Sequence, residues 1–382
     1  MPIAQYQFLE LLKVGLWGKD IEFTYICDKI DWKGILRIAK EQTVSVIIAD
    51  GIEFLPPELY PPKEVLIRLM MLRTKTVQAH MLLNKTLALI LQSLNENHVH
   101  AVLLKGQGTA QNYRKPESRM CGDIDLYTGP DGYNKACHII STLDRTSEKL
   151  GLECGHHMHL TFNGVEIEVH RHAEVLPGNR ANTSFQQWTK QSIDDHFGSG
   201  ELLSYCIDDT IVPLPTPTFD AFYILHHAVR HMITQGVGFR QLCDWTMYIY
   251  RHHAEIDTTE LQARLREFHM EDVWQEFGII AVTVLGLPLE NLPLPPSEFV
   301  SKKTEKILQQ VFISGNFGRY DYEQKSRYFR SKRGYLSKKL NSFRFQISRL
   351  FKLFTLFPRY ITSYMWHWLI SGSRRVFTGE SR

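Results

Sequence analysis

The chain has 382 residues, 43% of them hydrophobic and 12% aromatic, with a formal net charge of +3. That length suits two or three domains at roughly 100–200 residues each, and the composition lets a well-packed core form, so disorder is not the default. The charge is unevenly spread: residues 325–382 hold fourteen Lys and Arg against one acid, Glu380, so the rest of the chain is net negative.

Residues 1–97 read as a helical region. "YQFLELLKVGLW" and "WKGILRIAKEQTVSVIIADGI" carry apolar residues at helical spacing, and a long helical run over 61–97 opens on Pro61 and Pro62. The pattern then changes. "HAVLLKG" (100–106) is a short apolar run that enters a turn at glycine, and "DIDLYT" (123–128) is a second strand. A helix over 133–152 follows. "HMHLTF" and "VEIEVH" flank Asn163-Gly164, a strong hairpin signal. Strand, helix, strand, helix and hairpin make a small mixed sheet over 98–215, and the fold class is α+β. Helical patterns return over 216–320, in "TFDAFYILHHAVRHMIT", "FRQLCDWTMYIYRHH" and the run 258–286, and proline-rich stretches bracket them. Residues 321–382 form a basic tail.

The six cysteines include no CxxC pair, and a chain with this core does not need disulfides, so they read as reduced thiols. The N-terminus lacks a basic segment ahead of an apolar run, and no stretch of 18 apolar residues occurs. These features predict a cytoplasmic protein.

The chemistry concentrates at 103–170. Side chains alternate faces on a strand, so Asp123 and Asp125 project from one side, about 7 Å apart along it. Two carboxylates so placed suit one or two hard cations, which in turn grip phosphate oxygens. "VEIEVH" offers Glu166, Glu168 and His170 on one face by the same rule. If the two faces meet, a third carboxylate completes a cage. The turn at Gly106-Gln107-Gly108 would free backbone N–H groups for phosphate, with Lys105 to neutralise charge. Gln107 and Thr109 could add hydrogen bonds, and Arg114, Lys115 and Arg119 are candidate phosphate contacts.

"LLKG…Y…P…R…GDIDLY" followed by "EIEVH" resembles the nucleotidyltransferases of the DNA polymerase beta type. It looks most like a bacterial family of uncharacterised nucleotidyltransferases often met near surface-polysaccharide genes. "LLKVGLWG" and "GFRQLCDW" extend the likeness to roughly residues 8–285. The resemblance implies that Asp123, Asp125 and Glu168 hold two Mg²⁺ (Mn²⁺ being an alternative) and that Gly106 and Gly108 stand for the turn glycines; together with the cations Lys105 and Arg119 they would bind the nucleotide. Glu166, His170, Arg240 and Asp244 would be accessory. It implies an NTP donor, with a sugar or glycan favoured over tRNA or protein as acceptor. Lys-Gly-Gln-Gly stands where the superfamily has Gly-Ser, and the gap to the first Asp is longer. A phosphotransferase on the same fold and a non-catalytic membrane-associated scaffold are the rival readings.

Other constellations carry less. His156, His157 and His159 cluster before the hairpin, and His227 and His231 are four residues apart, but neither an HExxH glutamate nor a cysteine pair accompanies them, so no zinc site is expected. His226, Arg240 and Asp244 suit either a buried salt bridge or a contact with the site. In the tail, Leu336, Leu340, Phe343, Ile347, Leu350, Phe354 and Phe357 recur every three or four residues beside Lys338, Lys339, Arg349 and Lys352. That basic amphipathic helix, with the aromatic stretch behind it, suits an anionic membrane surface over 335–370, packing on the protein's acidic body, or nucleic acid. The first of these would put the enzyme at the inner face of the membrane.

Overall fold

The structure is a computed structural model that describes residues 1–18, 30–143, 153–154, 157–299, 302–318, 320 and 347–365. The N-terminal part holds α1 (Ile3–Trp17), α2 (Trp32–Glu41), α3 (Ser45–Ile52) and α4 (Lys63–Glu96). Then come β1 (Val102–Leu103), α5 (Gln107–Ala110), β2 (Asp123–Tyr127), α6 (Gly129–Leu143), β3 (Glu153–Cys154), β4 (His157–Phe162) and β5 (Val165–His170). The chain continues through α7 (Asn179–Ser192), β6 (Ser204–Ile207), β7 (Thr210–Pro213), α8 (Pro217–Thr234), α9 (Phe239–His252), α10 (Thr258–Glu267), α11 (Glu271–Thr283) and α12 (Lys302–Ser314). Residues 347–354 and 358–365 are helical as well. This is the expected α+β class.

Five strands form one mixed sheet in the order β1–β2–β5–β4–β3, and β6 pairs with β7 separately. Alternation gives the sheet one apolar face. Ile124 and Leu126 of β2, Ile167 and Val169 of β5, and Leu160 and Phe162 of β4 pack on Leu87, Ile90 and Leu94 of α4 and on Tyr133, Ala136 and Ile140 of α6. Each such side chain stabilises the fold by roughly 1.5–3 kcal/mol, so a one-residue slip of register would expose the whole set. The register is therefore pinned. β2 runs parallel to β5 with Asp123 opposite Glu166, Asp125 opposite Glu168 and Tyr127 opposite His170. β4 runs antiparallel to β5 with His159 opposite Glu168 and His157 opposite His170. Paired residues share a face, so these acids and histidines all point away from α4 and α6.

A larger core joins α1–α3 to α7–α12. At its N-terminal end, α1 and α3 touch through backbone: a Cβ on Gly15 would lie 2.0 Å from the Ile47 carbonyl oxygen.

Several boundaries differ from the sequence reading. The helical pattern over 32–52 is two helices, divided where Thr43 takes a positive φ of 58°. The run 258–286 divides likewise, at His269 with φ 58°. The helix after the glycine turn is four residues long, and 111–122 is mostly turn. The β6–β7 hairpin and α7 were not expected as elements, whereas α12 falls in the helical region expected over 216–320.

Within 347–365 the expected stripe holds only in part: Leu350 and Phe357 are buried in the main core, with Leu353, Leu356, Tyr360 and Ile361, but Phe354 is exposed, as is Phe351, and the helix stops at residue 354, before Pro358. Arg349 donates to the carbonyls of Met232 and Gln235 at the end of α8, at 2.9 and 2.7 Å. The Tyr360 hydroxyl lies 2.9 Å from His226 Nε2. Burial on the protein, the second of the three alternatives, describes this part of the tail; residues 321–346 and 366–382 lie outside the described residues. No described helix is long and apolar enough to cross a membrane. Removing the Phe357 ring should then cost about 3–5 kcal/mol of unfolding free energy. Urea titration of Phe357→Ala measures it, and an unshifted midpoint would mean that the segment does not pack there.

Candidate active site

β1 delivers the chain to a turn over the start of β2, tied by Leu104 N–H donating to the Asp125 carbonyl at 3.0 Å. Gly106 occupies that turn at φ 66°, ψ −117°. A Cβ there would add strain and sit 3.2 Å from the Asp123 carbonyl oxygen. The glycine therefore allows the turn to lie close on the strand that bears the acids.

Lys105 reaches down from this turn, its Nζ 2.9 Å from Asp125 Oδ1. His170 Nε2 lies 3.1 Å from the same oxygen and 3.5 Å from Glu168 Oε2. Burial works against charge on Asp125, but Lys105 and His170 outweigh it and hold its carboxyl well below the usual range. Asp123 moves the other way: repulsion from Asp125, with burial second, raises its pKa. His170 is raised despite burial, because it hydrogen-bonds to Asp125 and Glu168. Clustered carboxylates whose charges oppose one another suit a positive guest. Asp125, Glu168 and His170 each bring one ligand atom to within 4.8 Å of the others. The donor set, with Asp123 beside it, fits a divalent cation.

Helices α8 and α9 form the opposite wall of a cleft of about 300 Å³. His227, Arg230 and His231 line it from α8 and Arg240 from α9, facing Lys105, Asp123, Asp125, His157 and Glu168. Arg230 pairs with the buried Glu174 at 2.9 Å. His227 Nε2 lies 2.8 Å from His231 Nε2 and 3.4 Å from Lys105 Nζ. Burial first, then Arg230 and Lys105, push the His231 pKa down to about 3. Arg240 donates to the Met120 carbonyl at 3.0 Å and lies over the Phe317 ring.

Asp123, Asp125, Glu168, Lys105 and Gly106 thus meet in one cleft, with His170 between the acids and the exposed Glu166 beside Asp123 in register. Other expected contacts are placed differently. Arg119 is buried, with Nε and Nη2 bidentate on Asp244 at 2.6 and 2.8 Å and Nη1 donating to the Gly106 carbonyl at 3.1 Å. It supports the turn from beneath and lines the same cleft, with these donors turned to protein. Asp244 accordingly pairs with Arg119, and also accepts from the Tyr113 hydroxyl at 2.6 Å; Arg240 and His226 have other partners. Gly108 packs against Leu214, which a Cβ would meet at 2.5 Å, so it serves packing rather than nucleotide. The Gln107 side chain is fully buried. Arg114 stacks over Phe54, and Lys115 pairs with Asp50 and Glu53 at 3.2 and 2.8 Å, both outside the cleft lining.

The sequence reading missed Arg230 and weighed His227 and His231 as zinc ligands alone. Their i, i+3, i+4 spacing on one helix was the available signal. It also missed Cys121, whose thiol is held below its usual pKa, against burial, by Arg119 at 2.8 Å and His80 at 3.5 Å.

A small mixed sheet gathers acids beneath a glycine turn, with cations across the cleft, an arrangement suited to holding phosphate through a divalent cation. Residues 28–286 match the family described as uncharacterised nucleotidyltransferase, and the chain belongs to that family. The match begins at residue 28 rather than near residue 8, and ends close to where the likeness was expected to end. No curated protein and no solved structure matches the chain.

Two predictions follow the charges. Asp244→Asn leaves Arg119 buried without a counter-charge and should cost about 3–5 kcal/mol in denaturant unfolding, whereas a loss under about 1 kcal/mol would mean that the pair is not buried as described. His231 titrates near 6.5 when unfolded and near 3 when folded, so its contribution is complete above about pH 6.5 and is lost as pH falls toward 3. Between about pH 7 and pH 5, His231→Gln should lose about 2 kcal/mol less stability than wild type. Parallel pH profiles would refute the buried neutral imidazole.

Proposed function

We propose that the protein moves a nucleoside monophosphate from an NTP to an acceptor hydroxyl or amine and releases pyrophosphate, in a divalent-cation-dependent reaction, with Mg²⁺ the favoured ion. The observation that supports this most is the register of β2 and β5, which sets Asp123 and Asp125 beside Glu166 and Glu168 on the face turned to the cleft. Mg²⁺ held by Asp123, Asp125 and Glu168 would neutralise phosphate charge and polarise the acceptor oxygen.

The chain's own groups supply the rest. Lys105 is the counter-ion of Asp125 and lies within reach of a phosphate in the same cleft. Arg230 and Arg240 give the opposite wall two further cations, suited to the charge that develops on the leaving pyrophosphate. His227 and His231, held neutral by burial and the neighbouring cations, pair with each other through Nε2 and line the wall without adding charge to it. Asp123, whose proton affinity its neighbour raises, is the carboxylate placed to accept the acceptor's proton. The likeness to enzymes found near surface-polysaccharide genes favours a sugar or glycan acceptor.

Calorimetric titration with non-hydrolysable ATP, CTP, GTP and UTP analogues tests the reading. At least one should bind in a Mg²⁺-dependent way, and Asp123→Asn/Asp125→Asn should abolish that binding. Pyrophosphate release should fall at least about a hundredfold in Asp125→Asn. If no nucleotide binds, or if binding ignores both Mg²⁺ and the double substitution, the transfer reading is wrong.

A further inference from the structure

The face that holds the acids does not stop at β5. β4 lies on its far side, and its His157 and His159, two residues apart, project from the same face as Glu168 and His170. The third ligand that the sequence failed to offer this histidine pair comes from the neighbouring strand. Glu168 Oε1 lies 3.4 Å from His159 Nδ1, and Glu168 Oε2 lies 3.9 Å from His157 Nε2. The two Nε2 atoms are 3.0 Å apart. Two imidazole nitrogens bound to one cation at about 2.0–2.1 Å stand about 3 Å from each other, so this pair needs little movement to close on an ion. One ligand atom from each of His157, His159 and Glu168 lies within 4.8 Å of the others, and all three side chains are half-buried.

We infer that His157, His159 and Glu168 form a second metal site, sharing Glu168 with the carboxylate site, which takes a later first-row transition dication (Co²⁺, Ni²⁺ or Zn²⁺) in preference to Mg²⁺. The donor chemistry sets the preference. Imidazole nitrogen suits the transition dications, whereas Mg²⁺ demands oxygen ligands in near-ideal octahedral geometry. Charge favours it as well: two neutral imidazoles and one carboxylate leave a single negative charge for a dication. Asp125 already has Lys105 within 2.9 Å, while Glu168 is shared among three imidazoles. His157 lines the cleft, so the ion's remaining positions would face water or a phosphate oxygen there. Glu168 then joins the two cation positions, one rich in oxygen and one rich in nitrogen. The site rests on side chains of β4 and β5 and holds whether or not the transfer reaction does.

The test uses the full-length protein and Co²⁺ alone, without nucleotide, read by visible ligand-field absorption. Co²⁺ should bind at one equivalent at this site, with displacement by Zn²⁺ and resistance to excess Mg²⁺. Loss of even outer-shell partners costs 10–100-fold in metal affinity, so His157→Gln/His159→Gln and Glu168→Gln should each weaken it by about a hundredfold or more. Asp123→Asn should retain it. His159→Gln alone, at a side chain 36% exposed, guards against a misfolded double variant and should lose affinity with unchanged far-UV dichroism. Binding that survives the histidine substitutions, or that falls equally in Asp123→Asn, would overturn the proposal; so would a folded wild type that binds no Co²⁺. Failure of nucleotide binding with an intact Co²⁺ signal would count against the transfer reading and leave this site standing.

Discussion

The buried pair of Arg119 and Asp244 is the contact on which the cleft depends. Asp244 belongs to α9 in the helical body, Arg119 to the long turn before β2, and Arg119 Nη1 donates to the Gly106 carbonyl. One side chain thus ties the helical core to the glycine turn above the acids. A buried ion pair is seldom a large net source of stability, because desolvation offsets the Coulomb gain. Its value here is positional. Without it the turn that presents Lys105 would rest on one short strand, β1, and a four-residue helix.

From that frame the electrostatics follow. The sheet contributes oxygen and imidazole, the helices contribute guanidinium, and a polyphosphate with its counter-ions has charge to match both walls. Asp123 and Asp125 move in opposite directions because Lys105 and His170 attend one of them and the repulsion falls on the other. Two imidazoles on α8 stay neutral among cations, since protonating either would add like charge in a place short of water. Preorganised dipoles and charges of this kind need no rearrangement when charge develops on a substrate.

The parts of this architecture with a short repeat were legible in the sequence. Period-two alternation announced β2, β4 and β5, and placed Asp123, Asp125, Glu166, Glu168 and His170 on common faces before any pairing was known. What the pattern could not supply was which strand lies beside which. His157 and His159 therefore looked partnerless, although Glu168 sits across the ladder from His159. Arg119 shows a second limit, because a basic residue near a glycine turn reads as a phosphate contact until its buried carboxylate partner, far away in the chain, is known. Helix breaks at Thr43 and His269 escaped for a local reason: each is a single residue at positive φ inside an otherwise continuous apolar period. In the tail the expected period caught the buried Leu350 and Phe357 but also took in the exposed Phe354, and it ran across a helix break after residue 354.

The packing of residues 347–365 has one more consequence. Arg349 holds the carbonyls of Met232 and Gln235, at the end of the helix that carries His227, Arg230 and His231 into the cleft. Occupancy of the cleft and docking of this segment then act on the same helix. Where two equilibria share an element, linkage requires each to strengthen or weaken the other by the same factor. A ligand that shifted the end of α8 would therefore also change how tightly Leu353, Phe357 and Ile361 pack on the body.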